Sequence, residues 1–175
     1  GDVRSHQDRL DFVRSQPLPL FTFYPTDMTS TPPLLISHAE TDRDILRCLP
    51  VLLELRPNLN YETFLPTIHR MQDKGYFLVM LEERGEVVAV TGYRFGEHLM
   101  RGKFLYIDDL VTSTMARRKG HGQRLFEWLV RLAQETHCRE VHLDSGVQRT
   151  EAHQFYEKQK MSFSSRHYAL KLKPA

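Results

Sequence analysis

At 175 residues the chain is long enough to bury a real core without disulfide or metal staples, and the length predicts one domain. Hydrophobic residues at 41% and charged residues at 26% are ordinary for a globular protein. A net charge of +2 is too small to make nucleic acid or a membrane surface the main partner.

In chain order, residues 1–33 differ from the rest and read as an N-terminal arm. Asp2 to Ser15 suits a short polar helix, after which Pro17, Pro19, Pro25, Pro32 and Pro33 break any regular element. A domain over 34–175 follows. Leu34 to Ser37 predicts a strand. Thr41 or Asp42 can cap a helix carrying Ile45, Leu46, Leu49, Leu52, Leu53 and Leu55, with Pro50 predicting a kink or a break into two pieces. Asn60 opens a second helix with Phe64, Leu65, Ile68 and Met71 on one face. Tyr76 to Leu81 and Val87 to Phe95 form a hairpin about Glu83-Arg84-Gly85-Glu86. A polar loop through Gly96 and Gly102 leads to a central strand near Leu105. Beyond Gly122, Leu125, Phe126, Leu129, Leu132 and Ala133 recur at helical spacing. Glu140 to Leu143 is a strand, Thr150 caps a last helix, and Ser165 to Leu172 predicts a closing strand. The order β α α β β β α β α β is that of an α+β domain with a mixed sheet. Cys48 and Cys138 lie far apart and read as free thiols of a cytoplasmic protein. No apolar run reaches membrane-spanning length and no signal peptide is evident.

The stretch Leu105 to Gln123 carries the chemistry. A strand runs into Arg117-Arg118-Lys119-Gly120-His121-Gly122, and a helix begins. Glycines let a backbone approach a ligand closely, and a helix N-terminus adds partial positive charge, so the layout suits an anion with two or more phosphates. Neither the P-loop nor the dinucleotide fingerprint is present. Alone, six residues of this kind are equally well a solvated basic loop.

Three motifs in order raise the signal: Leu110-Val111-Thr112 followed by Arg117-x-x-Gly120-x-Gly122; Ile107-Asp108-Asp109-Leu110; and Ala152-x-x-Phe155-Tyr156-Glu157-Lys158. With the element order they resemble the GNAT acetyltransferase superfamily, across roughly Leu34 to Leu172. Leu143 to Arg149 is similar to a subgroup of small bacterial GNAT proteins. The resemblance implies a central, mostly antiparallel sheet flanked by helices, with a splayed central strand, and acetyl-CoA as acetyl donor. The cofactor-binding residues it implies are Leu110, Val111, Thr112, Arg117, Arg118, Lys119, Gly120, His121, Gly122, Gln123, Arg149 and Tyr156. Two departures stand out. Lys160 occupies the place of a usual glycine, where it strains or reshapes the turn, and Arg149 replaces a frequent asparagine.

Acetyl transfer to an amine needs a base, because an amine with pKa near ~10.4 is mostly protonated at neutral pH. By resemblance Asp108 is the candidate base, acting through a water because aspartate is short. Asp109 points to the other face if the strand is regular, and reads as structural. A backbone N–H at Leu110 or Val111 is placed to stabilise the oxyanion, and Tyr156, by resemblance, donates to the leaving thiolate. Glu54 is a candidate substrate contact whose plainer reading is a solvated helix charge. None of the nine histidines shows helical His-x-x-x-His spacing with a third ligand, so no metal is expected. The acceptor is a primary amine that the sequence does not name, with a small amine, an aminoglycoside, a polyamine and a protein lysine or N-terminus all open; by resemblance Arg56 to Tyr61 and Glu97 to Lys103 are the stretches expected to form its pocket. A homodimer stays open by resemblance. Two rivals remain: a non-catalytic acyl-CoA sensor, which Tyr156 and Asp108 argue against, and a nucleic-acid module, which the near-neutral charge disfavours.

Overall fold

The protein's computed structural model describes residues 33–172, so the arm, with its expected helix from Asp2 to Ser15, lies outside the described residues but for Pro33. The order is β1 Leu34–His38, α1 Asp42–Leu55, α2 Tyr61–Gln72, β2 Tyr76–Glu83, β3 Glu86–His98, β4 Gly102–Thr112, α3 His121–Glu135, β5 Glu140–Leu143 and α4 Thr150–Lys158. The strands form one mixed sheet in sequential order, β1 to β5. The first four pair antiparallel. The described residues divide into two units between His142 and Leu143.

Within the first unit, helices cover both sheet faces. One core joins α1 and α2 to Tyr76, Leu78, Met80, Val90 and Val111. Strand alternation puts Phe77, Tyr93, Leu105 and Ile107 on the opposite face, with α3 supplying Leu125, Phe126, Trp128 and Leu129. There Tyr93 meets Trp128 edge-on at 6.1 Å.

Thr41 is the α1 cap, accepting from the Asp44 N–H at 3.2 Å. The expected break at Pro50 does not occur. Ile45, Cys48, Leu49 and Leu52 bury one continuous stripe, and that burial holds the helix together through an exposed proline. Asn60 caps α2, accepting from the Glu62 N–H at 2.8 Å. The polar loop expected through Gly96 and Gly102 is also corrected. Glu97 and His98 pair with Lys103 and Gly102, so β3 and β4 extend to a short turn at 99–101. Both cysteines are free thiols, and burial pushes the Cys48 thiol up to about 12.

In the second unit, Thr150 is the first residue of α4 rather than its cap, and Arg149 at the cap position makes no side-chain capping bond. At the other end Lys160 sits in the left-handed region (φ 63°), with Met161 N–H bonded to Tyr156 O at 3.0 Å and Lys160 N–H to Glu157 O at 2.9 Å. This is the glycine-type helix stop, made here by a lysine. The closing strand expected over Ser165 to Leu172 is absent. Tyr168, Leu170 and Leu172 alternate as a strand does, but all three side chains are exposed.

Candidate functional site

The middle of β4 is a bulge. Tyr106 faces Arg94 and Ile107 faces Tyr93, but the next partner pair is Asp109 and Gly92, leaving Asp108 as the extra residue. One extra residue puts two consecutive side chains on the same side. Asp108 and Asp109 therefore both line a cavity of about 640 Å³ between the bulge and the α1–α2 connection. The expectation that Asp109 faces away fails for this reason.

Both carboxylates are held. Arg94 Nε donates to Asp108 Oδ2 at 2.7 Å, and Arg56 Nε donates to Asp109 Oδ1 at 3.0 Å. The Tyr76 hydroxyl donates to Asp109 Oδ2 at 3.1 Å. The backbone of the bulge is satisfied too: Arg56 Nη2 bonds Asp108 O at 3.2 Å, and Thr91 Oγ1 bonds Asp109 O at 2.7 Å. Burial raises the Asp108 pKa above the ordinary aspartate value, with Arg94 opposing it, so the carboxylate takes up a proton more readily than a free one. Gly92 makes the arrangement possible, because a Cβ there would collide with the Tyr76 hydroxyl. Neither Gly92 nor Arg94 is singled out by the sequence reading. The unexplained glycine inside a strand was the one available signal.

β4 ends at Leu110, Val111 and Thr112, which face Thr91, Val90 and Ala89. Val111 gives its side chain to the core. A single 3-10 turn at Thr114–Ala116 then leads into the basic loop. Arg118 (φ 63°) and Gly120 (φ 80°) are left-handed, and open space surrounds the Gly120 α-carbon. The first bond within α3 runs from Arg124 N–H to Gly120 O at 3.0 Å. The N–H groups of His121, Gly122 and Gln123 thus precede the intrahelical ladder, and no side chain of the cap residue takes them up. No acidic residue lies in the first turn, while Arg117, Arg118 and Lys119 are exposed around it. Open backbone donors, a helix N-terminus and exposed cations form a donor set that fits a group carrying several phosphates.

The side chain of His121 turns inward. It is 2% exposed, and neither ring nitrogen has a hydrogen-bond partner among the described residues. Burial lowers its pKa, against the pull of Glu83 with Nε2 3.9 Å away. Gln123 Nε2 is bonded along the helix to Glu127 at 2.8 Å.

Two acids brace the loop. Glu54, in the last turn of α1, accepts from Ser113 Oγ (3.1 Å), Thr114 N–H (2.8 Å) and Thr114 Oγ1 (2.6 Å), with Arg117 at 3.8 Å. Burial acts to raise its pKa, but Thr114, Ser113 and Arg117 outweigh it and hold the carboxyl below the usual range. Glu83, at the end of β2, pairs with Lys119 at 3.3 Å. Glu54 is thus neither a solvated charge nor set apart for substrate: it ties the loop to α1.

The remaining sequence candidates, Arg149 and Tyr156, belong to the second unit. Tyr156 is half-buried on α4, and burial raises its hydroxyl pKa above the ordinary value, with Arg149 opposing.

This geometry can be set beside known proteins. Residues 40–161 match the family described as Acetyltransferase (GNAT) family. An N-acetyltransferase of Bacillus subtilis (strain 168), YhdJ, itself uncharacterized, is 35% identical over 120 residues, 68% of this chain and 84% of that protein. The crystal structure of glucosamine-6-phosphate N-acetyltransferase from Arabidopsis thaliana is similar at TM-score 0.65 and 24% identity, over 80% of this chain and 99% of that one. Aminoglycoside N-acetyltransferase AAC(6')-Iy, solved in complex with CoA, gives TM-score 0.73 at 11% identity, over 85% of this chain and all (100%) of that one. At those identities the two structures establish a shared fold. With the match over residues 40–161, the chain belongs to the GNAT acetyltransferase family.

Proposed function

We propose that the protein transfers the acetyl group of acetyl-CoA to a primary amine by direct attack, with donor and acceptor bound together. One observation carries the reading: an uncapped α3 N-terminus, reached through a left-handed Gly120 and ringed by Arg117, Arg118 and Lys119, directly continues the strand that holds Asp108. The residues that would hold the donor are the backbone of Leu110 to Thr112 and the loop Arg117 to Gln123, with Arg149 as a further phosphate partner. The side chain of His121 leaves that set and its N–H stays in it.

Asp108 is the proposed base. Its raised pKa brings it closer to that of the ammonium it must deprotonate, and a water bridges the gap left by its short side chain. The freed amine forms the new C–N bond at the thioester carbonyl. The N–H of Leu110 or Val111 takes the charge that develops on oxygen. The C–S bond then breaks, and Tyr156 hydrogen-bonds or protonates the departing sulfur. Tyrosine at ~10 is a weaker acid than a thiol at ~8.5. Its hydroxyl is raised further still by burial, so hydrogen bonding is the larger part of its role.

The test is calorimetric. Acetyl-CoA binds the wild type at micromolar strength, and Gly120→Glu, which adds a bulky anion at a left-handed position, abolishes binding. A wild type without acetyl-CoA affinity would overturn the reading. Turnover on an amine panel, lost or reduced in Tyr156→Phe, separates a transferase from an acyl-CoA sensor.

A further inference from the structure

The cavity beside the bulge has two contrasting ends. Leu52, Leu55, Leu59, Phe64, Ile68 and Met71 supply an apolar wall from α1, α2 and their connection. The other end is charged but balanced. Its two carboxylates, Asp108 and Asp109, are each in an ion pair, with Arg94 at 2.7 Å and Arg56 at 3.0 Å. No third carboxylate is among the lining residues.

A polyamine or an aminoglycoside carries several ammonium groups, and each loses hydration on entry. Such a ligand needs a carboxylate for every charge it buries. This cavity offers two, already neutralised, and beyond them a mostly apolar wall interrupted only by the uncharged Asn58, Asn60, Thr63 and Thr67. It can accommodate one amine nitrogen at Asp108 and gains affinity only by covering apolar surface. With about 640 Å³ it has room for a body of several carbons. The connection from Arg56 to Asn60 forms its rim, and that segment is fixed by Arg56 on Asp109.

We propose that the acceptor is a primary amine bearing a single positive charge on an apolar, hydrocarbon-like body, with the nitrogen at Asp108 and the body against the α1–α2 wall. The proposal rests on the acetyl-transfer reading and narrows its acceptor to one class, against polycationic amines and against peptide lysines, whose single-charged arm ends in a polar backbone that an apolar wall does not suit.

The experiment is a steady-state acetylation series at saturating acetyl-CoA, using propylamine, butylamine, pentylamine and hexylamine, whose ammonium pKa values are alike. Burying one more methylene favours the longer chain, so kcat/KM should climb about threefold to fourfold per carbon. Spermidine, an aminoglycoside and a lysine-containing peptide should each be at least tenfold poorer than hexylamine. Thr63→Glu locates the effect. Thr63 lines the cavity, is exposed, and stands three residues after the Asn60 cap, where glutamate suits a helix. The variant should raise KM for hexylamine severalfold, narrow the gap to spermidine, and leave acetyl-CoA affinity unchanged.

A flat series, or preference for spermidine, the aminoglycoside or the peptide, overturns the acceptor class while leaving acetyl transfer standing. A rising series that Thr63→Glu does not alter overturns the placement in this cavity. Acetyl-CoA binding with no amine acetylated sinks the transferase reading and this proposal with it.

Discussion

The bulge of β4 and the loop that follows it lie within a dozen residues of each other and are built in opposite ways. At the bulge every carboxylate is at least partly buried and matched: Asp108 with Arg94, Asp109 with Arg56 and Tyr76. In the loop, Arg117, Arg118 and Lys119 stand in solvent, and the shape comes from left-handed backbone at Arg118 and Gly120. A loop proposed to receive phosphates has to keep backbone donors available, and here left-handed backbone rather than side-chain packing sets the geometry. A group that accepts a proton needs its basicity set in advance, and neighbours at fixed distance do that. Even the loop's one strong tether, Glu54, grips its entrance at Ser113 and Thr114 and leaves the glycines free.

The largest effect expected from breaking this contrast is at the bulge. Asp108→Asn keeps the size and a hydrogen bond to Arg94 but removes the proposed base, and kcat/KM should fall roughly 100-fold to 1,000-fold. Acetyl-CoA affinity should stay within about twofold, since the donor is held elsewhere. The pH profile adds a second readout. Activity needs the carboxylate, so it falls as pH drops through the Asp108 pKa. Because burial raises that pKa, the acid limb should lie above the ~3.9 of free aspartate, and the asparagine variant should lack it. Wild-type turnover in Asp108→Asn would remove Asp108 from the chemistry.

A smaller effect, of the opposite kind, is expected at Glu54. Glu54→Ala releases Ser113, both Thr114 donors and Arg117 together, so the loop must be ordered when the donor binds. We expect the acetyl-CoA Kd to rise about threefold to tenfold, with kcat at saturation unchanged, the mirror image of Asp108→Asn. The tether is acid-resistant. Its folded pKa lies below the usual value, so its contribution is complete above about 4.3 and is lost only as pH falls through the lower, folded pKa. A drop in kcat alone would show that Glu54 acts on the chemistry instead.

The same contrast explains what the sequence could reveal. Gly120 announces the loop because the left-handed backbone there restricts the residue type, and Gly122 because a Cβ would come within 3.2 Å of Thr112 Oγ1; restrictions of that kind are visible in one chain. The α1 and α3 faces are legible for a similar reason, since burial imposes a period on Ile45, Cys48, Leu49 and Leu52. The bulge is legible only by resemblance, which implies a splayed central strand at Ile107 to Leu110, and not in its register. One extra residue at Asp108 leaves no mark on composition, yet it turns Asp109 onto the face of the cavity. Glu54 is hidden by distance, its partners lying about 60 residues on. Gly96 looked like a loop glycine, but it is a strand residue against which the Phe104 ring lies. The closing strand misleads in the other direction: Tyr168, Leu170 and Leu172 have the period, but alternation becomes a strand only where an edge receives it.

The smallest predicted effect separates the two halves of the loop's design within one residue. Arg118 is a cation held in a left-handed conformation, where a side chain costs roughly 1–2 kcal/mol. Arg118→Gly removes that cost but also frees the unfolded chain, so the net gain in stability should be about 0.5–1 kcal/mol by denaturant midpoint. The same change deletes one exposed positive charge beside the α3 N-terminus. The acetyl-CoA Kd should therefore rise about twofold to threefold in low salt and approach that of the wild type as salt is added, because exposed charges are screened within ~10 Å at 0.1 M. A variant that gains stability and loses affinity shows that the strain at residue 118 is kept for its charge. If Arg118→Gly loses stability instead, the loop is held by its side chains, and the contrast with the bulge collapses.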